Sequence, residues 1–193
     1  MGRKTEEILY IKYANERNRE FAARTEILED TEGNRSVRKT PLYPEGKAHV
    51  AGLVEKYHRL EPDYEKVGLF CNRAEADGNA VRLEYLTGES LEEHLDTLLD
   101  HKKTEEAEKL LKQYIEKIQV LPGQESFHMT EEFRKVFGEA ESLETMAAVS
   151  NANIDMVCQN VMMDADRWTM IDYEWTFFFP VPTAFLVYRV LHY

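Results

Sequence analysis

Asn153-Ile154-Asp155-Met156-Val157-Cys158-Gln159-Asn160, followed by Val161-Met162-Met163 and then by Met170-Ile171-Asp172-Tyr173-Glu174, is the stretch on which the reading of the chain turns. It sets out an Asp, an Asn five places on, an apolar run, a turn, a second apolar run and another Asp. The turn is Asp164-Ala165-Asp166-Arg167, and two apolar runs separated in this way read as a β-hairpin. Such a hairpin holds Asp155, Asn160 and Asp172 near one of its ends. Two carboxylates and an amide gathered there can hold a divalent cation through hard oxygen ligands. They can also leave one carboxylate to take a proton from a hydroxyl. The plainer reading is an ordinary hairpin with polar residues at its open end.

The spacing resembles the catalytic loop and metal-binding Asp of the protein-kinase-like fold, where Asp-x4-Asn precedes a second Asp after roughly a dozen residues. It is most similar to the small-molecule branch: aminoglycoside phosphotransferases, choline-type kinases and lipopolysaccharide-core sugar kinases. It also resembles kinase-like domains within bacterial cell-surface polysaccharide proteins. The resemblance implies an α+β, two-lobed fold. Residues 1–88 would form a five-stranded antiparallel N-terminal sheet with one helix. Residues 89–193 would form a mostly helical C-terminal lobe containing the catalytic hairpin. It further implies Asp155 as catalytic base, Asn160 and Asp172 as ligands of Mg²⁺, and ATP as donor. Asn153 stands where such families have His, and Tyr173-Glu174 replaces the Phe-Gly that often follows the metal Asp.

Composition bounds the partners. A chain of 193 residues can bury one good core or two smaller ones. With 43% hydrophobic and 31% charged residues it reads as folded rather than disordered. A net charge of −12 disfavours nucleic acid and anionic membrane surfaces, both of which are bound by excess Lys and Arg. No apolar run reaches the ~18 residues of a membrane span and no signal-peptide pattern is present, so the cytoplasm is the expected compartment. The two cysteines, Cys71 and Cys158, have no metal-type spacing and are expected to be reduced there. Cys158, inside the Asp155–Asn160 loop, is either a reactive thiol or a small buried filler.

Upstream, residues 6–14, Phe21 to Glu29 and Arg35 to Thr40 read as three strands joined by polar turns. In a kinase-like frame the first turn, Asn15-Glu16-Arg17-Asn18, would cover the nucleotide phosphates, yet it has no Gly. Lys39, on the third strand, would by resemblance pair with the α- and β-phosphates, and alternation puts it on the face of Val37, opposite Arg38. A helix from about Glu45 to Leu60 carries the stripe Val50, Leu53, Val54 and Tyr57. Glu45, His49 and Glu55 are all candidates to orient Lys39, and the sequence does not choose among them. Val67 to Glu75 and Ala80 to Leu86 read as two more strands with an Asp77-Gly78 hairpin signal. Glu84 to Gly88 would by resemblance be the hinge whose backbone, at Glu84 and Leu86, binds adenine.

Ser90-Leu91-Glu92-Glu93 is a capping box opening a helix to about Asp100. Thr104 is expected to cap the next helix, with Leu110, Leu111, Tyr114, Ile115 and Ile118 on one face. Thr130 caps a short helix, Glu131 to Phe137, closed by Gly138, and Glu139 to Ala148 is expected to add a turn or two. The aromatic run Trp175 to Pro182 is either a substrate wall or core packing. An apolar helix begins near Ala184 and the sequence ends within it at Tyr193, so the C-terminal lobe is expected to be cut short and the chain to be a piece of a longer protein.

Three functions follow as expectations. The first is transfer of the ATP γ-phosphoryl group to a hydroxyl of a small molecule or of a sugar or polysaccharide precursor. The second is a non-catalytic kinase-like module that binds a nucleotide or a neighbouring biosynthetic domain. The third is an unrelated α+β domain.

Overall fold

The computed structural model describes residues 6–140, 143–165 and 167–193. In chain order the first elements are β1 (Glu6–Tyr13), β2 (Ala23–Asp30), β3 (Arg35–Pro41), α1 (Lys47–Tyr64), β4 (Leu69–Cys71), β5 (Ala74–Asp77) and β6 (Ala80–Glu84). Then come β7 (Glu89–Ser90), α2 (Leu91–Asp100), α3 (Thr104–Gln119), β8 (Gln124–Ser126), α4 (Glu131–Phe137), β9 (Ala147–Val149) and β10 (Ala152–Asn153). The last are β11 (Val161–Asp164), β12 (Arg167–Met170), β13 (Thr176–Phe177), β14 (Val181–Pro182) and α5 (Thr183–His192). The architecture is mixed α+β. No helix of the described residues is long and apolar enough to cross a membrane.

Two compact units emerge. One joins the described residues through His58 to Asn72–Leu86; the other joins Arg59–Cys71 to Thr87–Tyr193. Residues 59–71 therefore group with the second unit, not with the rest of the first 88 residues.

The first unit is a five-stranded antiparallel sheet in the order β1-β2-β3-β6-β5. Five strands were expected, but one expected strand divides. Leu69–Cys71 pairs in parallel with β12, and only Ala74–Asp77 joins β6. The switch falls at Asn72-Arg73, where Asn72 Nδ2 donates to the Glu84 carbonyl at 3.2 Å and the Glu84 amide donates to the Arg73 carbonyl at 2.9 Å. The polar pair Asn72-Arg73 interrupts the apolar run in the sequence, but does not tell that the residues on its two sides join different sheets.

Two further boundaries shifted. The connection between β1 and β2 spans residues 14–22, because Phe21 does not begin a strand. Its amide donates to the Asn18 carbonyl at 2.8 Å, and its ring meets His49 edge-on at 5.0 Å. Helix α1 continues through Pro62 to Tyr64. Pro removes one helical hydrogen bond, but stopping at Leu60 would leave Tyr64, only 1% exposed, without its place in the core.

In the second unit, β4-β12-β11-β7 form one sheet, β14-β9-β8 another, and β10 pairs with β13. The β11–β12 hairpin runs from Val161 opposite Met170 to Asp164 opposite Arg167; Asp166 of its expected turn lies outside the described residues. The capping box of α2 forms as read: the Glu93 amide donates to Ser90 Oγ at 3.1 Å, and the Ser90 amide donates to Glu93 Oε2 at 2.7 Å. Thr130 caps α4 by accepting from the Phe133 amide at 3.1 Å. Thr104, by contrast, is the first residue of α3 and not its cap; Lys103 holds the cap position and makes no side-chain capping bond. Of the expected further turns within Glu139 to Ala148, residues 141–142 lie outside the described residues, and Ala147–Val149 is strand β9.

Tyr64, Leu69, Leu91, Tyr114, Ile118, Met156 and Met170 are essentially fully buried in this unit. A second cluster gathers Phe127, Phe133 and Ala148, with Phe137 and Phe179 packed against them. Ring centroids lie 4.9 Å apart for Phe127–Phe133 and 5.4 Å apart for Phe137–Phe177. The aromatic run thus serves as packing.

Gly88 stands just before β7 with a φ of +116°. A Cβ there would lie 2.5 Å from the backbone carbonyl oxygen of Met163. Gly88→Ala therefore combines a backbone strain with a backbone clash, and about 3 kcal/mol of stability should be lost. Thermal unfolding followed by circular dichroism should show a fall in Tm of about 8 °C; an unchanged Tm would refute this.

Candidate active site

The segment Ala152 to Asn160 is anchored by hydrogen bonds at several points. Ala152 and Asn153 pair with Phe177 and Thr176. The Ile154 amide donates to the Trp175 carbonyl at 3.1 Å. From below, the buried Tyr64 hydroxyl accepts from the Asn153 amide at 3.3 Å and donates to the Asn151 carbonyl at 3.2 Å. The buried Tyr114 hydroxyl donates to the Met156 carbonyl at 2.8 Å. A loop anchored at these points holds its side chains in place, because peptide groups buried with a partner are costly to release.

Asn153 is fully buried, and its Oδ1 accepts the Asp155 amide at 3.0 Å. This Asx-type bond fixes the backbone ahead of Asp155. Asn153 thus holds the loop through its own side-chain amide.

Asn160 closes the loop. Its Nδ2 donates to the Asp155 carbonyl at 3.0 Å, and its own carbonyl accepts the Ile171 amide at 2.9 Å. With Nδ2 committed, Oδ1 is the atom of the amide that remains for another partner. Asp172 follows β12 with a left-handed φ of +55°. Asp tolerates that region better than most residues. The turn sends Tyr173 and Glu174 inward, where each is 1% exposed. Within the second unit the structure therefore brings Asp155, Asn160 and Asp172 together at the open end of the β11–β12 hairpin.

Sequence reasoning missed Arg189. Its Nη2 donates to Asp155 Oδ1 at 2.7 Å, and its Nε donates to the Ile154 carbonyl at 3.1 Å. The guanidinium also lies 4.3 Å from the centre of the Tyr193 ring. A signal was present: Arg189 is the one Lys or Arg in the apolar helix α5. Charges rarely sit on such a helix unless paired.

Burial pushes the Asp155 carboxyl above the usual aspartate range; Arg189 pulls it back, and the charges of Asp172 and Glu174 push it up again. Its basicity is thus set by burial against one guanidinium. Burial also pushes the Cys158 thiol up to about 11, which makes it a filler and not a nucleophile.

The remaining candidates lie in the first unit. Lys39 is 8% exposed and stands opposite Thr25 and Val81, while Arg38 stands opposite Glu26 and Arg82 on the other face. The alternation expected of β3 is present. Glu84 has its backbone N–H and C=O engaged with Arg73 and Asn72, whereas Leu86 makes no backbone hydrogen bond among the described residues. Glu45 pairs with Arg19 at 2.9 Å. Glu55 is exposed on α1.

A hollow of about 740 Å³ occupies the sheet face that bears Arg38, and neither Lys39, Glu84 nor Leu86 lines it. Its arginines are matched by carboxylates: Arg24 and Arg38 hold Glu26, and Arg82 holds Glu6 and Asp77. The charges cancel, so the hollow offers no excess positive field to a phosphate.

The fold is a mixed α+β one, with an antiparallel five-stranded sheet and five α-helices among the described residues. The candidate site is a cluster of hard oxygen atoms on a hairpin. No protein-family model matches the chain, and no curated protein matches it. Among solved structures it is similar to a type I macrolide 2′-phosphotransferase, with 13% identity and a TM-score of 0.48 over 94% of this chain and 70% of that one. It is also similar to a macrolide 2′-phosphotransferase from Brachybacterium faecium, in its apoenzyme form. There the identity is 9% and the TM-score 0.48, over 88% of this chain and 71% of that one.

Proposed function

We propose that the protein is a kinase-like phosphotransferase that moves the γ-phosphoryl group of ATP to a hydroxyl of a small molecule or of a sugar or polysaccharide precursor. The observation that carries this reading is the placing of Asp155, Asn160 and Asp172 on one hairpin end. The sheet order β1-β2-β3-β6-β5, with Lys39 buried on β3, supports it.

The donor set fits Mg²⁺. No group of three or more His, Cys, Asp or Glu side chains suited to a metal occurs among the described residues. Mg²⁺ does not need one, since one or two protein oxygens plus substrate phosphates suffice. Asn160, through Oδ1, and Asp172, through its carboxylate, would hold the ion. When bound it neutralises charge on the phosphates.

Asp155 has the role of base. Arg189 binds Oδ1, and Oδ2 accepts no hydrogen bond among the described residues. That oxygen is suited to receive the acceptor hydroxyl, orient it and take its proton as the bond to phosphorus forms. Arg189 is a positioning residue: by gripping both the carboxylate and the Ile154 carbonyl it fixes the angle at which Oδ2 is presented. Lys39 is assigned to the nucleotide phosphates, and Glu84 and Leu86 to adenine. Since the backbone of Glu84 is engaged, Leu86 is the better of the two.

Arg189→Met should lower kcat about 100-fold with little change in nucleotide KM, and Arg189→Lys should recover part of the loss. Equal losses for both variants, or a change confined to KM, would remove the positioning role. A second reading, a nucleotide-binding module without turnover, is favoured by the glycine-free connection between β1 and β2. The deciding experiment is calorimetry with ATP, with and without Mg²⁺, followed by ADP release across a panel of hydroxyl acceptors. Mg²⁺-dependent binding with acceptor-stimulated ADP release supports the enzyme, binding alone supports the module, and no binding removes both.

A further inference from the structure

Among the described residues, strand β1 is the edge of its sheet and pairs only with β2. Its middle is apolar and open: Ile8, Tyr10 and Tyr13 are 50%, 53% and 48% exposed, and Leu9 and Ile11 little less. Natural edges are usually short, charged or broken by Pro, because an open row of N–H and C=O groups recruits another strand. Here the four central residues, Ile8 to Ile11, carry neither charge nor Pro.

The register with β2 shows which side chains share a face. Glu6, Ile8, Ile11 and Tyr13 stand opposite Asp30, Leu28, Glu26 and Arg24, which alternate onto one face of β2. Glu7, Tyr10 and Lys12 stand opposite Glu29, Ile27 and Thr25 on the other. The irregularity between Ile8 and Tyr10 is what puts Ile8 and Ile11 on the same side.

This pattern is self-complementary. When two copies of β1 meet antiparallel about a two-fold axis, one register sets Glu7 opposite Lys12, Ile8 opposite Ile11 and Glu6 opposite Tyr13. Every one of these pairs shares a face. The two-fold axis repeats each, so two Glu7–Lys12 pairs form and close the apolar centre from both ends. Moving the register by two residues sets Glu7 or Lys12 against an apolar partner instead.

We infer that β1 is a dimerisation edge, joining two copies of this chain into one continuous ten-stranded sheet through the pairs Glu7–Lys12 and Ile8–Ile11. Two eight-residue edges lie at the small end of stable interfaces. The association is therefore concentration-dependent, with a Kd of about 1–100 μM.

Sedimentation velocity of the full chain from about 1 to 500 μM tests this, with a doubling of mass expected across that range. Glu7→Lys and Lys12→Glu should each weaken association about tenfold, by setting like charges opposite one another twice. The double exchange should restore it to within about threefold. These side chains are exposed, and melting curves will confirm that each variant folds. A wild-type chain that stays monomeric throughout overturns the proposal. So does a dimer indifferent to the single exchanges, which would use another surface, or one that the double exchange fails to restore.

Discussion

Asp172→Ala should cost the protein at least about 100-fold in Mg²⁺-dependent nucleotide affinity, more than is usual for loss of a residue merely supporting a ligand. The reason is the small donor set. On the proposed assignment Asn160 would be its one companion from the protein, and Asp172 would supply the negative charge that draws the cation. Alanine also meets a conformational penalty at this position, since the φ of +55° is disfavoured for a residue without a short polar side chain. Asp172→Asn separates the two effects, because Asn tolerates the left-handed region while losing the charge. Calorimetry should show both variants failing to bind Mg·nucleotide, while melting curves show only the alanine variant losing stability, by about 1 kcal/mol. Unchanged nucleotide affinity in Asp172→Asn would end the metal assignment.

Asp155→Asn should lower kcat by about 100- to 10,000-fold and leave nucleotide affinity nearly as it was, since in the proposed mechanism the group acts on the acceptor and not on the donor. The pH dependence follows from the environment. Burial, opposed by Arg189, holds the Asp155 carboxyl above the usual range, so the acidic limb of the rate profile should fall at higher pH than for an exposed aspartate. The same shift bears on stability. An acid whose pKa is raised by folding contributes stability that is fully present below its unfolded value, about 4. That contribution is lost as pH rises through the folded value. At neutral pH the ionised Asp155 thus works against the fold, which is common for a group held ready for chemistry. Asp155→Asn should flatten this part of the stability–pH curve. An equally steep curve in the variant would assign the dependence to other groups.

The hairpin end was legible because its parts are close in sequence. Asp155, Asn160 and Asp172 are separated only by one loop and two short strands, and alternation with a turn sufficed to bring them together. The capping box at Ser90 and the cap at Thr130 were legible for the same reason: each is a bond between residues three apart. The strands β8, β9, β10, β13 and β14 were not, because two or three residues are too few to show a period of two. Nor was the division of the stretch Val67 to Glu75 between two sheets, since either destination buries the same apolar residues.

What the sequence determined by itself was the local chemistry: a five-stranded antiparallel sheet, amphipathic helices, and three oxygen-bearing side chains gathered by one hairpin. What only the tertiary structure decided was how that chemistry is held. Tyr64, Tyr114 and Arg189 reach the Asn151–Met156 segment from helices 34 to 89 residues away in sequence. Hydrogen bonds over such separations depend on where whole helices pack. That placement follows from burial of Leu60, Ile118 and Leu186 in the core, and burial is insensitive to which polar groups it happens to bring along.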